Sequence, residues 1–146
     1  SGVTGSFGIL GIGGAVAATV MGKMSDRLNK NLLISIAVLV MIFAWGIFEF
    51  SGSSIIGLVI GVVLIDMGLQ SLHITNQNII FSHNPDARNR INTIYMVGYF
   101  IGGAIGTTTG AYAWQYFKWP GVATLGLIYS ILILIFHLLL KKPEIE

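Results

Sequence analysis

No cysteine occurs anywhere in the 146 residues, which excludes a disulfide framework and any thiolate-bound metal. Charge is almost as scarce. Only 10% of residues are Asp, Glu, Lys or Arg, against about 25% in a water-soluble domain. Histidines and carboxylates never fall at metal-ligand spacing, and no nucleophile stands beside a candidate base, so no enzyme, cofactor or metal is expected. The net charge of +2 is not gathered on one face, which gives no footprint for nucleic acid. There is no basic stretch ahead of the first apolar run, so a secretory signal is not expected.

What fills the chain instead is apolar. Mean hydropathy is +0.81 and apolar residues make up 54%. A helix crossing a bilayer needs about 20 largely apolar residues. Runs of that length cover about 3–22, 32–50, 55–80, 92–115 and 120–140. Barrel strands would instead alternate over about 10 residues. The expected fold is all-α, a polytopic bundle of five spanning helices in a single domain, 1–146, embedded in lipid. A chain that begins with Ser1 and holds an odd number of spans is expected to be a piece of a longer protein.

The few charges report orientation. Lys23, Arg27, Lys30, Arg88, Arg90, Lys141 and Lys142 fall in connectors on one side of the five runs, and Lys118 alone falls on the other. The positive-inside rule makes the crowded side cytoplasmic, with the C-terminus there. Tyr112, Trp114, Tyr116, Phe117 and Trp119 then cluster at the outer interface, where amphipathic rings settle.

The runs differ in kind. Runs 32–50 and 120–140 are evenly apolar and are expected to face lipid. Run 92–115 carries Gly98, Gly102, Gly106 and Gly110 at successive i+4 positions, with Gly103 beside them. Such a ladder lets another helix backbone come close. Gly57 and Gly61 repeat the device in run 55–80. That run also holds Asp66, Gln70, His73 and Gln77 at i, i+4, i+7 and i+11, a stripe about 60° wide on a helix. A carboxylate at mid-bilayer costs about 2.5–3.5 kcal/mol on insertion scales, so Asp66 should face a cavity or a partner. The stripe is expected to handle a proton or a substrate; a hydrogen-bonded packing patch is the alternative. Asn76 and Asn78 fall elsewhere around the helix, toward the cytoplasmic mouth. Thr107, Thr108 and Thr109 are expected to return their hydroxyls to the backbone, and His83 and His137 to lie at the interface.

One short polar link sits between the first two runs: Gly22-Lys23-Met24-Ser25-Asp26-Arg27. It resembles the Gly-x-x-x-Asp-Arg loop signature of the major facilitator superfamily. Asp66-Met67-Gly68-Leu69-Gln70, Asn76-Gln77, Pro85-Asp86-Ala87-Arg88-Asn89-Arg90-Ile91-Asn92-Thr93 and Tyr99-Phe100-Ile101-Gly102-Gly103-Ala104-Ile105-Gly106 are similar to the helix 10–11 region of bacterial drug and sugar efflux permeases of the arabinose-efflux type. The resemblance implies helices 8–12 of a C-terminal half, with helix 7 and the N-terminal half lying elsewhere. It implies a secondary transporter of small molecules in the bacterial inner membrane, proton-coupled and working by antiport. The spans at 32–50 and 120–140 would be outermost and the others would border the cavity. Gly22, Lys23, Asp26 and Arg27 would form a cytoplasmic gate, with Asp26 against a helix N-terminus of the opposite half. The competing expectation is a membrane scaffold or small oligomeric channel assembled through the glycine ladders.

Overall fold

A computed structural model describes residues 29–51, 54–83 and 85–140. The run expected at 3–22, the link residues Gly22, Lys23, Asp26 and Arg27, and the tail 141–146 lie outside them.

Helix α1, Lys30–Phe50, starts where Asn29 turns its side chain onto the first free amides. Asn29 Oδ1 accepts from the Asn31 and Leu32 N–H groups at 2.8 and 3.2 Å, satisfying donors that the first helical turn leaves open. At the other end the Ser51 N–H closes on the Ile47 carbonyl at 2.8 Å. Ser54 then caps α2, Ile55–His83, by accepting from the Gly57 N–H at 3.3 Å. A 3-10 turn, Pro85–Ala87, leads into α3, Arg88–Leu140. His83 is the last residue of α2.

Four of the five expected spans fall on described residues, and there three helices are long and apolar enough to cross a membrane. The runs at 92–115 and 120–140 belong to one 53-residue element. A straight helix of that length would measure about 80 Å, far more than a hydrocarbon core of about 30 Å. It is not straight. Lys118 adopts φ 56° and ψ −145° just ahead of Trp119-Pro120, and proline cannot supply the N–H that would continue the ladder. The break leaves two arms, 88–117 and 119–140, each longer than the span minimum. The arms fold toward one another, with the Thr109 and Tyr129 hydroxyls 3.0 Å apart.

Helix α1 is the centre of the described bundle. Leu33, Ala37, Val38, Ala44 and Phe48 are buried, with α2 on one flank and the second arm of α3 on the other. The two evenly apolar runs therefore pack on one another through one side and keep exposed apolar residues on the other. Leu32, Ile36, Leu39 and Phe43 form the exposed stripe of α1, while its opposite side is the best-packed surface present. Hydropathy cannot separate the two, because lipid tails are as apolar as leucine.

Small residues set how closely the helices approach. A Cβ on Gly61 of α2 would meet the Phe48 ring, and one on Gly68 would meet Met41 and the Ala37 carbonyl. On the other flank a Cβ on Gly126 would strike the Trp45 indole. Phe48 meets Trp45 and Trp119 edge-on, with ring centroids 5.3 and 5.7 Å apart. Trp119 Nε1 donates to the Phe48 carbonyl at 2.8 Å, one of the four carbonyls that the end of α1 cannot satisfy itself. At the far end His137 Nε2 lies 3.1 Å from the Asn31 carbonyl and from Ser35 Oγ. A carbonyl only accepts, so Nε2 carries the proton and donates.

Two outcomes test this packing. Gly61→Ala should destabilise the bundle by about 1–3 kcal/mol through displacement of Phe48, read as a lower thermal unfolding midpoint in detergent. Trp119→Phe keeps an aromatic ring against Phe48 but removes the indole N–H. Its cost should be smaller, about 0.5–1.5 kcal/mol, and an unchanged midpoint would show that the hydrogen bond contributes nothing.

Candidate functional site

Two faces of α2 lie back to back. Gly61, Gly68, Ser71, Leu72 and Thr75 are buried, and they recur at the spacing of one helix side. The hydroxyl of Ser71 is returned to the Met67 carbonyl at 2.6 Å, so the side turned to α1 spends its polarity locally. About half a turn around the helix stand Asp66, Gln70, His73 and Gln77. Gln70 is exposed, and Asp66, His73 and Gln77 are half-buried. The four residues therefore share a side, and it is the side turned away from the packing contact with α1.

That side meets the first arm of α3 at one well-defined cluster. His73 Nδ1 lies 3.0 Å from the Tyr95 hydroxyl. The imidazole sits between two phenol rings, 5.4 Å from Tyr95 and 5.1 Å from Tyr99 by ring centroid. Tyr95 and Tyr99 are one helical turn apart, so both reach the same histidine. Toward the C-terminal end of α2, the Arg88 guanidinium lies over the Phe81 ring at 5.6 Å.

Tyr95 and Tyr99 are the members that sequence reasoning missed. Their i, i+4 spacing is visible, but in a run crowded with glycines it reads as interface aromatics. The glycine ladder makes no close approach among the described residues. A Cβ built on Gly98, Gly102, Gly103, Gly106 or Gly110 meets nothing within 4 Å among the described residues. No helix of the described bundle uses the ladder, and the close approaches fall at Gly61, Gly68 and Gly126 instead.

Thr108 and Thr109 do return their hydroxyls to the Ala104 and Ile105 carbonyls, at 2.8 and 2.7 Å. Between the arms of α3 lies an open cleft of about 530 Å³, lined by residues including Thr109, Tyr112, Tyr116, Pro120 and Thr124. Its walls carry hydroxyls but no ionisable acid or histidine. Among the described residues, no three of His, Asp and Glu are placed to hold a metal ion. The α2 face offers hydrogen-bond donors and acceptors.

Comparison with known proteins bears on what such a bundle belongs to. The chain is 38% identical over 105 residues to the uncharacterized transporter YgaY of Escherichia coli O157:H7, a match covering 72% of this chain and 27% of that protein. It is 26% identical over 138 residues to an uncharacterized transporter of Buchnera aphidicola subsp. Schizaphis graminum, covering 94% of this chain and 33% of the relative. The chain thus spans about a third or less of the curated relatives it matches. No solved structure matches it significantly. The profile of the Major Facilitator Superfamily matches residues 3–146, and the chain belongs to that family.

Proposed function

We propose that this chain is part of a secondary transporter that moves small molecules across the bacterial inner membrane by alternating access, coupled to protons and running in the direction of efflux. The observation that carries the reading is the two-sidedness of α2. An ionisable residue kept for packing would be turned toward the contact with α1. Asp66 instead shares a face with Gln70, His73 and Gln77 on the other side, away from the tightly packed glycines. A mid-membrane carboxylate is costly unless it meets water, a partner or a proton. A group that loads and releases a proton as its access changes satisfies all three conditions in turn.

In this reading the segment carrying Gly22, Lys23, Asp26 and Arg27 acts at the cytoplasmic gate. A carboxylate at a helix N-terminus contributes about 0.3–1 kcal/mol when exposed and up to about 2 when partly buried. That is enough to bias two states of similar stability. The opposite half of the transporter supplies that helix end and the other wall of the cavity, and the two halves rock about a site between them. The basic connectors and the 141–146 tail face the cytoplasm.

The decisive experiment reconstitutes the intact protein in liposomes, imposes a pH gradient and follows internal pH as candidate substrates are added. Substrate-dependent proton movement should be present in the native protein and lost in Asp66→Asn. Uphill transport that survives the substitution undiminished would reject Asp66 as the coupling group. Asp26→Asn should slow turnover and shift the balance between inward and outward states. Cysteine labelling from each side reads that balance, and unchanged accessibility would count against the gate role.

A further inference from the structure

The two arms of α3 leave a groove between them that continues beyond the cleft already described. Next to the first compartment of about 530 Å³ lies a second of about 390 Å³, lined by residues including Gly102, Gly106, Leu132 and Phe136. Thr109 lines the first and Tyr129 the second, and their hydroxyls are 3.0 Å apart, so the compartments adjoin at this pair. From Phe117 to Gly102 the groove follows the first arm for about 22 Å of helical rise. One leaflet with its head groups is about 20–22 Å thick. Polarity is graded along that length. Tyr112, Tyr116 and Thr124 bring hydroxyls to the end beside the Lys118 turn, whereas past Tyr129 the far compartment offers only glycine and aliphatic or phenyl side chains.

Two charges stand at the polar end. Lys118 is exposed, and its near neighbours Phe117 and Pro120 line the cleft. Its φ of 56° is one that glycine would hold without strain, so the turn keeps a lysine at a conformational cost. Glu49, exposed at the end of α1, has its Oε2 3.5 Å from Oγ1 of Thr124 on the cleft wall. A transmembrane helix laid in the groove would need neither the gradient nor the charges. An amphiphile with a charged head and a long apolar tail needs both. We propose that the groove binds one acyl chain of an aminophospholipid, whose phosphate meets Lys118 and whose ammonium meets Glu49. The chain runs past the Thr109–Tyr129 pair into the apolar compartment, where each buried methylene adds to the affinity. A phosphate head group that lacks the ammonium leaves Glu49 facing a like charge, and such juxtaposition is unfavourable.

This goes beyond the transport reading and does not rest on it: a lipid site stands or falls without proton coupling, which Asp66→Asn decides. The intact protein is reconstituted with phosphatidylethanolamine whose acyl chain ends in a diazirine, then irradiated, and the crosslinked peptides are mapped. Crosslinks should concentrate on the stretch from Leu132 to Phe136, and unlabelled phosphatidylethanolamine should compete them better than phosphatidylglycerol does. Lys118→Gly relieves the turn and removes the charge together. It should unfold no more easily, yet retain the probe about fivefold less, the share of one lysine at an anionic surface. Glu49→Gln should erase the preference between the two head groups. Crosslinks spread evenly over outward residues such as Leu39 and Phe43 would mean annular lipid only and overturn the proposal. So would equal competition by the two lipids. Capture of another protein helix, from the opposite half or a second copy, by a photoreactive maleimide on the Gly106→Cys variant would overturn it as well. The crosslink map and the competition are read on the native protein and stand even if a variant fails to fold.

Discussion

Phe48 is the piece on which the described bundle turns. Its ring fills the notch left by Gly61 on α2 and meets Trp45 and Trp119 edge-on. Its carbonyl takes the Trp119 indole N–H. In lipid no hydrophobic force favours one helix pairing over another, so van der Waals fit and interhelical hydrogen bonds must do the selecting. One residue here supplies both, to both neighbours of α1. The position of α2, and with it the direction in which Asp66 looks, follows from that fit.

The division of α2 into a close-packed side and a polar side has a mechanical meaning. Glycines at the α1 contact fix that side by backbone proximity, so little of it is free to rearrange. The other side is tied to α3 by the polar and aromatic cluster at His73. Hydrogen bonds exchange partners with little net change in energy, whereas interdigitated packing does not yield continuously. Of the two seams, α2–α3 is the one held by exchangeable polar contacts and α1–α2 the one held by close packing.

The elements were largely legible in the sequence. Apolar length placed helices at 32–50 and 55–80, and the structure gives Lys30–Phe50 and Ile55–His83. The Asp66 stripe was readable because helical spacing survives any tertiary arrangement. Hidden was the sidedness of the apolar runs. Leu33 and Leu32 are the same residue type one position apart, yet one is buried and the other exposed. Glycine spacing is silent for a related reason: a small residue permits close approach but does not say which neighbour accepts it. The regular ladder from Gly98 to Gly110 stands open among the described residues, while the scattered Gly68 and Gly126 carry the contacts. Tyr95 and Tyr99 became visible only when the fold set them beside His73, because a pairing 22 positions apart leaves no local pattern.

The link from His137 to Asn31 and Ser35 joins the last helical arm to the opening turn of α1. The described chain thus closes on itself, its two ends pinned side by side at one rim of the bundle. A closed frame of this kind resists shear in a way that an open row of helices does not. Strain at the start of α1 is therefore shared with the last turns of the final arm through a side-chain hydrogen bond as well as through packing.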